Sequence, residues 1–138
     1  MSLRERQREL IDDYSIIEDP AERFQAIVDR GRRAAPLPEE ARDDDHLVPG
    51  CTSRVWLAGW LDEETGTCQY RAEADAPSIH GVATMLCALY SGAAPAEVVA
   101  VEPDCLAELG IDRQLSPTRL RGLGQIRRRI RELAEAWL

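Results

Sequence analysis

Residues 52–75, TSRVWLAGWLDEETGTCQYRAEAD, contain two segments in which apolar and polar side chains alternate, joined by the connection EETGT. Successive side chains of a β-strand point to opposite faces, so the alternation predicts two antiparallel strands. Gly66 in the connection is typical of a hairpin loop. A further short strand is expected at residues 46–48, before the Pro49-Gly50 turn, which makes the predicted sheet three-stranded.

Helices are predicted on both sides of this hairpin: two precede it, and the chain reads as helical from Pro77 to the C-terminus. Their expected N-caps, each a short polar side chain before an apolar periodic segment, are Ser2, Asp19 and Ser116. Gly31 is predicted to end the second helix, and the glycines of RGLGQ, residues 121–125, are attributed to close helix packing. The order of elements indicates an α+β fold, with a small antiparallel sheet packed against helices in a single domain over residues 1–138.

The composition argues against several classes of function. Net charge is −8, from 25 acidic and 17 basic residues, and all of the basic residues are arginine. Proteins that bind nucleic acid present a basic surface instead. No segment approaches the roughly 18 apolar residues of a membrane helix, and the charged N-terminus has no apolar signal-peptide core. The expected location is therefore the cytoplasm.

The four cysteines do not form a recognisable metal or disulfide motif. They lie 17, 19 and 18 residues apart, without a CxxC pair or zinc-finger spacing, at positions Cys51, Cys68, Cys87 and Cys105. All four are expected to be reduced, and no metal site is predicted. The last three fall within predicted strands or helices, where packing is the favoured role.

Cys51 differs from the other three because it follows the Pro49-Gly50 turn. A cysteine becomes reactive when it is accessible and nearby positive groups lower its pKa. Arg54 and Arg119 are the candidate cations, the start of the last helix is expected to favour an anion, and His46 is a candidate to influence the thiol. From the residues alone, Cys51 is either a functional nucleophile or an ordinary loop residue.

Three segments resemble the SufE family of sulfur-acceptor proteins in order and spacing. They are VPGCTSRVWLAG at 48–59, APSIHGVATMLCALYSGAAPAEV at 76–98 and LSPTRLRGLGQIRRRI at 115–130. The specific combination is GC-x-S-x-VW together with L-[ST]-P-[ST]-R-x-x-G, and the resemblance extends from about Asp19 to the C-terminus. It implies a two-layer fold shared with iron–sulfur scaffold proteins of the IscU type.

The resemblance also implies a function and its residues. Proteins of this family accept sulfur from a SufS-like or CsdA-like cysteine desulfurase, stimulate that enzyme and deliver the sulfur to a SufBCD-like scaffold complex. Cys51, after Gly50, is the implied persulfide acceptor, and Arg119 the arginine near the acceptor loop. Arg54 and His46 are candidates to support the loop, although the family often has asparagine at position 46. The chain is then a sulfur carrier rather than a stand-alone enzyme, and needs no cofactor of its own, since pyridoxal phosphate belongs to the desulfurase.

Two other functions are compatible with the sequence. The chain is alternatively an assembly scaffold of the IscU type that holds an iron–sulfur cluster or zinc, which requires about three cysteines with an acid or histidine at one end of the molecule. It is alternatively a regulator that binds the desulfurase without carrying sulfur. Both differ from the acceptor hypothesis in the role they give to Cys51.

Overall fold

The computed structural model describes all residues, 1–138, and contains six α-helices and one hairpin. The helices and strands are α1 (Leu3–Ser15), α2 (Pro20–Arg33), β1 (Val55–Asp62), β2 (Thr67–Ala74), α3 (Pro77–Tyr90), α4 (Pro95–Ala100), α5 (Cys105–Glu108) and α6 (Pro117–Glu135). Short 3-10 turns lie at Glu39–Ala41, Asp44–His46 and Ile111–Arg113. This order confirms the predicted mixture of helices and a small sheet.

The sheet has two strands, so the prediction of three is wrong. β1 and β2 pair antiparallel from Val55 opposite Ala74 to Asp62 opposite Thr67. In place of a third strand, Leu47 forms one isolated bridge with Trp56. The 3-10 turn before Leu47 and the Pro49-Gly50 turn after it leave too few extended residues for a strand, and Pro49 has no N–H to donate.

One face of the hairpin packs onto α3 and forms the centre of the core. The buried side chains on that face are Val55, Leu57, Cys68, Tyr70 and Ala72, while Trp56 is buried on the opposite face. α3 also contacts α2, α6 and α1, and most of its side chains are buried. One continuous core of 28 buried residues joins these elements. None of the helices is both long enough and apolar enough to cross a membrane.

The predicted N-caps are present, but the predicted end of α2 is wrong. Ser2 Oγ accepts the Glu5 N–H at 3.1 Å, and the Glu5 carboxylate accepts the Ser2 N–H at 3.3 Å, which completes a capping box. α2 continues past Gly31 to Arg33. Gly31 instead allows α2 to approach α3, because a Cβ there would lie 2.6 Å from the Cα of Gly81.

Candidate functional site

Cys51 lies in the loop that connects the Asp44–His46 turn to β1. Gly50, immediately before it, has a φ of +82°, a conformation that favours glycine and that creates the turn. The Cys51 side chain is half-buried, whereas the other three cysteines are buried in the core. None of the four takes part in a disulfide. Cys51 is therefore the accessible thiol of this chain.

The loop rests on one face of α6. The Cys51 thiol donates a weak hydrogen bond to the Gly122 carbonyl at 3.6 Å, and a Cβ on Gly122 would lie 3.5 Å from the sulfur. Beside it, a Cβ on Gly50 would lie 3.2 Å from Cγ of Gln125. Residues 122 and 125 share a face because they are three positions apart in a helix. Together Gly122 and Gln125 form the surface on which the acceptor loop (residues 49–53) is held.

Burial raises the pKa of the Cys51 thiol above its ordinary value, so the predicted lowering by nearby cations is wrong for the protein alone. Gly122 is the sixth residue of α6, beyond the first turn where unpaired N–H groups favour an anion. The thiol therefore meets a helix carbonyl rather than a helix N-terminus. In this arrangement the protonated form of Cys51 is favoured.

The two arginines expected to activate the thiol interact with other groups. Arg54 Nε donates to Asp75 at 3.0 Å, and its guanidinium lies 5.4 Å from the centre of the Trp56 ring. Arg119 is exposed and hydrogen-bonds to the Ser78 hydroxyl, which joins α6 to the start of α3. Neither guanidinium hydrogen-bonds to Cys51, so their proposed roles in supporting the loop stay predictions.

His46 interacts with Asp43 and not with the thiol. Its Nδ1 lies 2.6 Å from Asp43 Oδ1, and its backbone N–H donates to the same oxygen at 3.1 Å. The hydrogen bond from the His46 side chain lowers the pKa of Asp43. His46 therefore fixes the 3-10 turn that leads into the acceptor loop.

The packing roles predicted for the remaining cysteines are confirmed. Burial raises the pKa of both Cys87 and Cys105 to about 12, and it also raises the pKa of Cys68. Thiols in such surroundings are chemically inert at neutral pH. They lie within the core and not at the acceptor loop.

Gly122 and Gln125 are site residues that the sequence analysis missed. Both belong to RGLGQ, whose glycines are expected from the sequence to serve close helix packing. Gly122 packs against the Cys51 sulfur instead, and a Cβ on Gly124 would contact nothing within 4 Å. The sequence does contain a signal for Gly122, because it is the final residue of the L-[ST]-P-[ST]-R-x-x-G motif.

Comparisons with known proteins agree on one family. The SufE family model, described as an Fe-S metabolism associated domain, matches residues 8–134. An uncharacterized SufE-like protein of Rhizobium meliloti is 29% identical over 133 residues, which cover 94% of this chain and 95% of that one. A SufE-like protein of Arabidopsis thaliana, described as chloroplastic/mitochondrial, is 28% identical over 116 residues, and the match covers 84% of this chain and 31% of that one.

A solved structure supports the fold. The solution structure of a hypothetical protein from Thermus thermophilus superposes with a TM-score of 0.76 over 96% of this chain and 95% of the other, at 18% identity. The family model spans almost every element of the fold, including the acceptor loop and α6. The chain belongs to the SufE family, whose domain is associated with iron–sulfur metabolism.

Proposed function

We propose that this protein is a sulfur acceptor that takes persulfide sulfur from a cysteine desulfurase onto Cys51 and delivers it to an iron–sulfur cluster assembly scaffold. The observation that carries the proposal is a single accessible thiol, held on a glycine turn against α6 while the other cysteines are buried. Membership of the SufE family supports the same chemistry. The cytoplasmic location expected from the sequence stays a prediction.

The transfer step is a thiol exchange that needs no external oxidant. The Cys51 thiolate attacks the terminal sulfur of the donor's persulfide, a new S–S bond forms on Cys51, and the bond to the donor's cysteine sulfur breaks. The donor cysteine leaves as a thiolate, so one persulfide replaces another. A thiol of the scaffold complex then attacks the terminal sulfur on Cys51 in the same way.

The resting position of Cys51 sets a requirement on the donor. Because burial raises the pKa of the thiol, the reactive thiolate is a minor species in the protein alone. Docking of the desulfurase must draw the side chain away from Gly122 or accept its proton. A loop is suited to such a movement, since few core contacts hold it in place.

Intact mass spectrometry tests the proposal directly. The protein is incubated with its cognate desulfurase and cysteine, and we expect a mass gain of one or more sulfur atoms that maps to Cys51 and is removed by reductant. Cys51→Ser should gain no sulfur, while the matched variant Cys105→Ala should gain it normally. No gain in the wild type, or a gain on Cys87, would contradict the proposal.

The same preparation separates the proposal from the two other functions. A regulator without carrier function predicts that Cys51→Ser stimulates the desulfurase as well as the wild type does. A scaffold predicts stoichiometric iron or zinc that is lost in Cys51→Ser. Arg119→Ala should slow sulfur transfer without unfolding the protein, and an unchanged rate would show that Arg119 does not act at the loop.

A further inference from the structure

The charge of this acidic protein is distributed unevenly. The helix against which Cys51 rests, α6, is positively charged. α6 carries six arginines and two glutamates, a net charge of +4. The rest of the chain carries the other 11 arginines and 23 acidic residues, a net charge of −12. Basic residues are therefore concentrated on the helix against which the acceptor loop rests.

Two arginines of α6 flank the loop on the helix face that it occupies. Gln125 lies against Gly50, and residues three and four positions further along an α-helix lie on the same face. Those residues are Arg128 and Arg129. They line a polar groove of about 440 Å³ together with Gln125, Glu132 and the loop residues Pro49 and Gly50.

Half of the six arginines of α6 form no salt bridge. Arg119, Arg121 and Arg129 form no salt bridge, and Arg128 pairs only with the exposed Glu132, at 2.8 Å. Arg127 on the same helix differs, since it is buried, lies 4.7 Å from the centre of the Tyr90 ring and pairs with Glu102. Arg127 therefore stabilises the fold and lies on a different face of α6.

The cations do not serve the thiol in the protein alone. Burial is the only cause that shifts the pKa of Cys51, and it raises that pKa. Solvent-accessible arginines beside a half-buried thiol whose pKa they do not lower therefore act on something that approaches from outside. A nucleic acid would meet the charge of −12 on the rest of the molecule, which opposes its binding.

We propose that Arg128 and Arg129, the basic surface, form the docking site for an acidic protein surface that surrounds the persulfide of the sulfur donor. The inference rests on the proposed function and adds the surface and charge of the partner. Complementary charge at the rim of an interface increases the association rate and fixes orientation. Here it directs the donor's persulfide onto the Cys51 loop.

Charge reversal with a matched control tests the basic surface. The test variant is Arg128→Glu with Arg129→Glu, and the control is Arg30→Glu with Arg33→Glu, two exposed arginines of α2 that form no salt bridge and line a different cavity. Both variants change the net charge equally. The measurement is the second-order rate of sulfur transfer from the cognate desulfurase at roughly 0.02 M and 0.3 M salt, between which the Debye length falls from about 20 Å to about 6 Å.

We expect wild-type transfer to slow at least ~10-fold at the higher salt concentration, in line with steered association. The test variant should be at least ~10-fold slower than wild type at low salt and insensitive to salt, while the control stays within about twofold. Equal rates in test variant and control would overturn the docking site. So would an equal loss when a small-molecule persulfide, cysteine persulfide, replaces the desulfurase, since that donor needs no docking surface. If the wild type gains no sulfur at all, the proposed function fails instead.

Discussion

The contact between α2 and α3 predicts that a methyl group added at Gly31 destabilises the protein, whereas the same group added at Gly124 of α6 stabilises it. Gly31 and Gly81 face each other, and a Cβ added at Gly31 would lie 2.6 Å from Cα and 3.2 Å from N of Gly81. A Cβ at Gly81 would lie 2.7 Å from the Cα of Val28. Each obstructing atom belongs to the backbone, so no side chain can rotate to make room. Gly31→Ala must therefore push the two helices apart.

The size of the effect follows from those distances. A contact of 2.6 Å has to lengthen by roughly 0.8 Å to become ordinary, and overpacking of this kind costs about 1–3 kcal/mol, here near the upper end because both sides are backbone. The higher helix propensity of alanine offsets at most ~1 kcal/mol. Gly31→Ala should lower the free energy of unfolding by about 2 kcal/mol. For a chain of this length, the melting temperature should fall by roughly 6–10 °C.

Gly124→Ala is the matched control, because it is the same substitution within a helix. A Cβ at this exposed position of α6 would contact nothing within 4 Å, so only the gain in helix propensity remains. We expect stabilisation of about 0.5–1 kcal/mol. Urea denaturation followed by circular dichroism measures both variants. If Gly31→Ala were as stable as the wild type, the close approach of the helices would not be the reason for glycine at that position.

Three further predictions concern the loop and the buried arginine. Because burial raises the pKa of Cys51 and the thiolate is the reactive form, its alkylation rate should be low at about pH 7 and still rise above about pH 9; a plateau below about pH 8 would contradict this. His46→Ala should raise the pKa of Asp43 toward its ordinary value, because it removes the hydrogen bond that lowers that pKa; NMR titration measures the change, and an unchanged pKa would contradict this. Arg127→Ala should destabilise the protein by about 2–4 kcal/mol, since it leaves a cavity beside Tyr90. Arg127→Met, which keeps most of the volume, should lose less than half of that in the same urea assay.

The sequence predictions that the structure confirms concern interactions between residues that are close together in the chain. The alternation in residues 55–74 places Tyr70 and Ala72 on the buried face, as the structure has them. The caps at Ser2, Asp19 and Ser116 each accept an N–H three residues ahead. Such interactions span a few residues, so the order of residue types predicts them.

The wrong predictions involved residues whose partners are distant in sequence. The sequence predicts that Gly31 ends α2, but its partner is Gly81, on a different helix. Arg54 is predicted to lower the pKa of the thiol, yet it pairs with Asp75 across the hairpin, and its role in supporting the loop stays a prediction. The third strand failed for a different reason, because the turns on both sides of Leu47 were too close together for a strand to form.

The sequence by itself determined the elements of this fold, the family, and Cys51 as the thiol on a turn. Only the tertiary structure decided the state of that thiol, through the Gly122 carbonyl 71 positions away, and left the arginines of the basic surface open to solvent rather than against the sulfur. The physical reason is that helix and strand patterns arise from short-range geometry. The pKa of a side chain depends on burial and on charges that only folding brings together.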